Sequence, residues 1–262
     1  MSGAIKVQVG MGGTVAKVTL NRPERFNAFD REMVRELGDL VRGVADSAKL
    51  KVLVLTGEGK AFSAGGDLLA AKASDSISNY LGQLAKGFHS VLDTLAQSPA
   101  LVVSLVNGPA VGGGLALALA ADLRVALPEA KFRVGYGRAG LSMDGGLSWR
   151  LPRLIGMAQA QRLVFEDPEI DADEAHALGL VHRVVAPSDL VKMLEELSQK
   201  ASAQSRASIL RNRQLLTESA SRTLAQTYEA EALLMKTCAG SADGREGISA
   251  FLEKRAPKFT GR

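Results

Sequence analysis

The stretch GRAGLSMDGGLSWRLPR, residues 137–153, sets Asp144 among Gly140, Gly145 and Gly146. An acid among glycines is ordinarily a solvated turn former, because its side chain can hydrogen-bond its own backbone. Here Leu141, Met143, Leu147 and Trp149 flank the acid, and all four read as buried. A carboxylate stripped of water by such neighbours is a stronger base. From its surroundings alone, Asp144 is either a turn residue or the acid that moves a proton.

Two glycine turns could complete a reactive site. GKAFSAGGDLL covers residues 59–69, and VNGPAVGGGLALALAAD covers residues 106–122. Each follows a buried strand. Neither is a nucleotide loop: Gly114 stands where a P-loop needs its lysine, and no Lys-Ser/Thr pair follows. FSAGG is not GxSxG, which argues against Ser63 as a hydrolase nucleophile. The glycines could simply let helix and strand pack closely. The alternative is that one backbone N–H from each turn points into a common site. Gly113 opens a helix, where unpaired N–H groups and the helix dipole favour negative charge. Two such donors would hold an oxygen as charge develops on it.

The surrounding elements alternate. IKVQV and TVAKVTL have period-two patterning and meet across Gly10, Gly12 and Gly13 as a hairpin. Asp30 is an N-cap, and Met33, Val34, Leu37, Leu40, Val41 and Val44 recur at helical spacing to about Ala48. KVLVLTG is a buried strand, followed by a loop and a helix over residues 77–95. LVVSLVNG and LRVAL are further strands around a wholly apolar helix. Alternation to about residue 130 predicts an α/β core with helices outside. From Leu147 onward the chain reads as mostly helical. Asp171 and Gly179 bracket one helix, GLVHRVV is a short strand, and helical periodicity runs over 188–203, 205–221 and on to Phe251.

Composition narrows the classes. The chain has 262 residues, 46% of them hydrophobic, and a formal charge of +4. Basic residues are spread among acids, as on the helix carrying Arg31, Glu32, Arg35, Glu36, Asp39 and Arg42, so nucleic acid is not expected as a partner. The longest apolar run, residues 115–121, is far below the roughly 20 residues of a membrane span. A single cysteine, Cys238, allows no intrachain disulfide and is read as structural. The first residues show no basic-then-apolar secretory pattern. A cytoplasmic protein without a membrane partner is expected.

NRPERFNAFD, KAFSAGGDL, VNGPAVGGGLALALAADLRVA, EAHALGLVHRVV and REGISAFLEKRAPKF, in this order and spacing, resemble the enoyl-CoA hydratase/isomerase (crotonase) superfamily. The likeness spans about residues 5–260. It implies a crotonase-like (ββα)n spiral core over residues 1–195 and a C-terminal helical trimerisation region over residues 196–262. It implies homotrimers or hexamers (dimers of trimers) and an acyl-CoA thioester substrate, with CoA as part of the substrate and no separate cofactor or metal. By the same resemblance, the backbone N–H groups of Gly66 and Gly113 hold the thioester oxygen. Arg22 and Arg25 would lie near the CoA phosphates, although both could equally be solvated loop charges. Ala64, Gly66, Asp67 and Leu68 would line the adenine and pantetheine path. Lys254 or Lys258 of a neighbouring subunit could reach the phosphates.

Hydratases of this family use two glutamates, and the matching positions here are Ala116 and Tyr136. Adding water to a double bond needs one group to activate water and another to handle the carbon-bound proton. Alanine does neither, and a tyrosine titrates near pH 10. The acid on offer is Asp144, placed as in the epoxyphenylacetyl-CoA isomerase and enoyl-CoA isomerase subgroup. Isomerisation needs one base that removes a proton and returns it elsewhere. Tyr136 would shape the acyl pocket or hydrogen-bond Asp144, and Trp149 is read as structural. A second possibility is the arylacyl-CoA dehalogenase or hydrolase pattern, in which Asp144 is a nucleophile and His89 a base; His89 could also be a partly buried helix residue with a satisfied hydrogen bond. An RNA-binding role on the same scaffold is a third, supported only by the basic charge.

Overall fold

The computed structural model describes residues 3–45, 47 and 49–261. Strands β1 (Ile5–Gly10) and β2 (Val15–Leu20) form the expected antiparallel hairpin. Helix α1 (Arg31–Ala45) follows; its expected end near Ala48 and the Val44 side chain lie outside what is described. Then come β3 (Val52–Gly57), a short α2 (Leu68–Lys72) and α3 (Ile77–Ala96). Next are β4 (Leu101–Val106), β5 (Ala110–Val111), α4 (Gly113–Leu119), β6 (Leu123–Ala126) and β7 (Lys131–Arg133). The rest is α5 (Leu147–Phe165), β8 (Ile170–Asp171), α6 (Ala172–Ala177), β9 (Arg183–Val184), α7 (Leu190–Ser202), α8 (Arg206–Glu218), α9 (Leu224–Gly240) and α10 (Ala242–Leu252).

The main sheet runs β1-β2-β3-β4-β6-β9, parallel after the first hairpin. Its central strands read as unbroken apolar runs because both faces are covered. Leu53 and Leu55 face the helices α1, α3 and α4, while Val52 and Val54 join Val103, Leu105, Met193 and Leu197 in a second core under α7. The expected division at 195/196 falls inside α7.

A second, smaller sheet pairs β5, β7 and β8. Isolated bridges Phe29–Gly66 and Ser63–Ala110 continue its line. The chain therefore repeats one unit: a main-sheet strand, a short strand or bridge, then a helix. That is the expected spiral core, and each repeat delivers a turn to the same edge. Strands β5, β7 and β8, of two or three residues, are too brief to show periodicity and lie outside the sequence expectations. It also took residues 58–76 as loop, whereas Asp67 caps α2 by accepting from the Leu69 and Ala70 N–H groups.

Candidate active site

The two glycine turns touch. The N–H groups of Phe62 and Ser63 donate to the Pro109 carbonyl at 3.1 Å, and the Val111 N–H donates to the Ser63 carbonyl at 2.9 Å. Gly65, at φ +85°, can only be glycine: a Cβ there would lie 2.8 Å from the Val111 oxygen and 2.9 Å from the Gly113 nitrogen. A Cβ on Gly114 would lie 2.2 Å from the Ser63 oxygen. So Gly65 and Gly114 permit the contact. Gly66 and Gly113 then stand side by side on a cavity of about 300 Å³. Among the described hydrogen bonds, neither the Gly66 nor the Gly113 N–H has a partner. Gly113 is the first residue of α4, where an N–H is unpaired by construction.

The same cavity is lined by Ala64, Leu68, Tyr136 and Asp144. Its apolar wall comes from one face of α3, where Leu81, Leu84, Ala85 and Phe88 repeat at helical spacing. Phe29 stacks on Phe88 with ring centroids 5.2 Å apart. The spacing on α3 was visible in the sequence, but nothing there said which side of the helix met the site.

Asp144 faces His89 across the mouth. His89 Nε2 lies 2.5 Å from Asp144 Oδ1, with side chains 50% and 32% exposed. This contact fits both readings of His89, a helix residue with a satisfied hydrogen bond and a base beside Asp144. The apolar flank expected around Asp144 is only partly present. Leu147 is fully buried, but Leu141 and Trp149 are each 39% exposed. Helix geometry explains Trp149. The core face of α5 starts with Leu147 and Leu151, four apart, and residue 149 points the other way. Trp149 instead lies beneath the Arg153 guanidinium, 4.1 Å from its ring centroid, and does not line the cavity.

Tyr136 covers Gly112, where a Cβ would sit 3.7 Å from the phenol ring. Burial pushes the phenol well above its ordinary value, the nearby Asp144 carboxylate adds to this, and a backbone hydrogen bond from Asp144 opposes it. Tyr136 therefore stays protonated at neutral pH and meets the backbone of Asp144. Ala116 is fully buried and absent from the cavity wall. It packs under Gly145, whose Cβ, if present, would lie 2.5 Å from the Ala116 Cβ and 2.8 Å from the Phe88 ring.

Both loop arginines are paired with carboxylates, and Arg25 keeps part of its side chain exposed. Arg22 pairs with Asp30 at 3.0 Å and Asp67 at 3.2 Å, and donates to the Ala28 carbonyl at 2.6 Å. Arg25 pairs with Asp67 at 3.2 Å. Asp67 is only 4% exposed at its side chain and does not line the cavity. Burial alone would push its carboxyl up, but the Ala70 amide, Arg25 and Arg22 hold it below the usual range. This network ties the 22–30 loop to the turn bearing Gly66. Lys254 and Lys258 sit on the exposed C-terminal segment, outside the cavity wall of their own chain.

Paired backbone donors, an apolar acyl-sized cavity and one carboxylate on a (ββα)n spiral define the site of a crotonase-type enzyme. The family profile described as Enoyl-CoA hydratase/isomerase matches residues 10–262, and the chain belongs to that family. It is 35% identical over 250 residues to the 1,2-epoxyphenylacetyl-CoA isomerase of Escherichia coli, covering 95% of each chain. It is 30% identical over 249 residues to the crotonyl-CoA hydratase of Syntrophomonas wolfei, covering 94% of each. Among solved structures, the enoyl-CoA hydratase of Bacillus anthracis superposes with a TM-score of 0.91 at 28% identity, covering 99% of this chain and 100% of that one. Both isomerases and hydratases thus stand among its relatives. No helix among the described residues is long and apolar enough to cross a membrane.

Proposed function

We propose that this enzyme is an acyl-CoA isomerase that shifts a double bond, or rearranges a ring, in an enoyl-CoA type thioester. The Gly66 and Gly113 N–H groups hold the thioester oxygen and stabilise the enolate formed when a proton leaves carbon. Asp144 takes that proton and returns it to another carbon. One observation carries the reading: the cavity presents a single carboxylate, Asp144. The two positions where a hydratase keeps its acids hold a buried alanine and a protonated tyrosine. His89, through its contact with Asp144 Oδ1, orients the carboxylate and leaves its other oxygen for the substrate. No separate cofactor is needed. Arg25, 37% exposed, has more surface to offer a CoA phosphate than Arg22 at 18%.

The isomerase of Escherichia coli supports this choice over the hydratase relatives. The test is Asp144→Asn on a panel of unsaturated acyl-CoAs, with a loss of about 10²–10⁴ in kcat expected for a general acid/base. Isomerisation at the wild-type rate would sink the role.

The 2.5 Å contact between His89 and Asp144 also favours a second reading, in which Asp144 attacks carbon and displaces halide or the CoA thiolate. Water activated by His89 then cleaves the acyl bond to Asp144 to release the product. Single turnover in heavy-oxygen water separates the two: a nucleophilic Asp144 acquires label, and a proton shuttle does not. A homotrimer or dimer of trimers in the cytoplasm completes the proposal. Its support is α9, which buries no residue in the single chain and exposes Leu224, Tyr228 and Met235 along one stripe.

A further inference from the structure

We propose that Asp167, which touches no substrate, is a positioning residue for the oxyanion hole. The proposal rests on the reading that Gly66 and Gly113 hold the thioester oxygen. Asp167 follows the end of α5 and is 7% exposed. Its backbone is left-handed, at φ +49°. A residue other than glycine takes that conformation only when its surroundings hold it there, although Asp tolerates it better than most.

What holds it is a convergence of donors. Asp167 Oδ1 accepts the Gly135 N–H at 2.8 Å. Oδ2 accepts two charge-assisted hydrogen bonds, from Arg133 Nε at 3.0 Å and Nη2 at 2.8 Å. Arg138 Nε lies 3.4 Å from the same oxygen. Burial alone would push this carboxyl up, yet Arg133, the Gly135 amide and Arg138 keep it below the usual range. It therefore remains an anion at neutral pH.

Residues 133, 135 and 138 bracket Tyr136, so one carboxylate fixes both ends of the segment that carries it. The same segment is the rail for the triple glycine. The Arg133 carbonyl accepts the Gly112 N–H at 3.2 Å. A Cβ on Gly135 would lie 2.6 Å from Val111 Cγ1, so the two segments are already in contact. Gly112 immediately precedes the donor Gly113. From Asp167 to the oxyanion hole the path is Asp167, Arg133, Gly112 and Gly113, each step a hydrogen bond or a peptide unit. A structural tie alone would affect stability; a positioning tie also sets where the Gly113 N–H points. Displacement of a reacting group by about 1 Å can cost about 10²-fold in rate.

The test uses the full-length enzyme with Asp167→Asn and Asp167→Gly. Both residues accept the left-handed backbone, so the carboxylate is removed without adding strain. Two readouts are taken below the melting temperature. One is steady-state turnover of an acyl-CoA the wild type converts; the expected result is kcat down about 10- to 100-fold with KM changed by less than about threefold. The other is the absorption of bound 4-hydroxycinnamoyl-CoA, whose thioester band moves to the red when its carbonyl is polarised. The variants should bind this probe and shift it less. Arg133→Met should reproduce the loss, and the double variant should add little to it. If Asp167→Gly fails to fold, Asp167→Asn and Arg133→Met carry the comparison. Folded variants with full kcat and full red shift would overturn the proposal alone. A wild type that binds the probe with no red shift would overturn the oxyanion-hole reading, and the proposal with it.

Discussion

Replacing Ala116 by glutamate would restore a hydratase acid on paper, and the structure predicts that it will not yield a hydratase. Ala116 is completely buried, under Gly145 and beside Phe88. Glutamate adds four heavy atoms beyond Cβ to that contact. Overpacking of a close-packed core costs about 1–3 kcal/mol. Burying an unpaired carboxylate costs several kcal/mol more. The sum, about 4–8 kcal/mol, is a large part of the roughly 5–15 kcal/mol that stabilises a typical protein. At about 2–4 °C per kcal/mol for a chain of this size, Tm should fall by about 8–32 °C. The new carboxyl could lower that cost by staying protonated, but it is then no base. Thermal unfolding and hydration of crotonyl-CoA, followed by loss of the enoyl absorbance, measure both quantities. An Ala116→Glu protein with an unchanged Tm and a clear gain of hydration would refute the packing argument. It would also remove the main reason for preferring isomerisation.

Further expectations follow from the other contacts. Gly65→Ala should lower turnover by about 10²–10³, the cost of losing one oxyanion donor, because its Cβ would push against the Gly113 nitrogen; steady-state kinetics at unchanged protein concentration checks this. Asp67 has a depressed folded-state pKa, so its contribution is complete above the unfolded value near 3.9 and is lost as pH falls through the folded value. Asp67→Asn should therefore lower Tm at pH 7 and bring it close to the wild-type Tm in strong acid; parallel Tm-against-pH curves would contradict this. Met235→Glu, in the exposed stripe of α9, should drive the protein toward its 27.6 kDa monomer in sedimentation, whereas a wild type already monomeric would remove the basis for a trimer.

Much of the fold was legible because it rests on long, regular signals. The doubly covered strands β3 and β4 read as apolar runs, and the helices α1, α3 and α7 read from spacing alone. The two glycine turns were legible as glycines that no nucleotide loop explains. What could not be read depends on pairings between distant residues. His89 and Asp144, 55 positions apart, were brought together only by the family resemblance, and Arg133 and Asp167, 34 apart, not at all. No periodicity records such a meeting. Trp149 was misplaced for a related reason: an apolar residue in the first turn of a helix carries no sign of which face it takes until the helix start is known. Asp67 read as part of a ligand path, whereas its carboxylate is enclosed by a helix cap and two arginines, an arrangement only the folded turn creates.

The packing reading of the glycine turns and the proposed catalytic one are compatible within one arrangement. Gly65 and Gly114 have no room for a side chain, and that lack of room brings Gly66 and Gly113 to the same cavity. In the proposed reading the oxyanion hole is made of backbone donors alone, and side chains such as Asp167 and Arg133 act on it only by positioning that backbone. Which reaction follows is then decided by the loop that faces it. Here residues 136–146 supply a protonated phenol, one carboxylate and a glycine that closes over Ala116. That division of labour explains how isomerases and hydratases at similar identity share one scaffold, and why overall likeness alone does not choose between them. The proposed choice rests on the side chains at 116, 136 and 144, of which only Asp144 is a carboxylate.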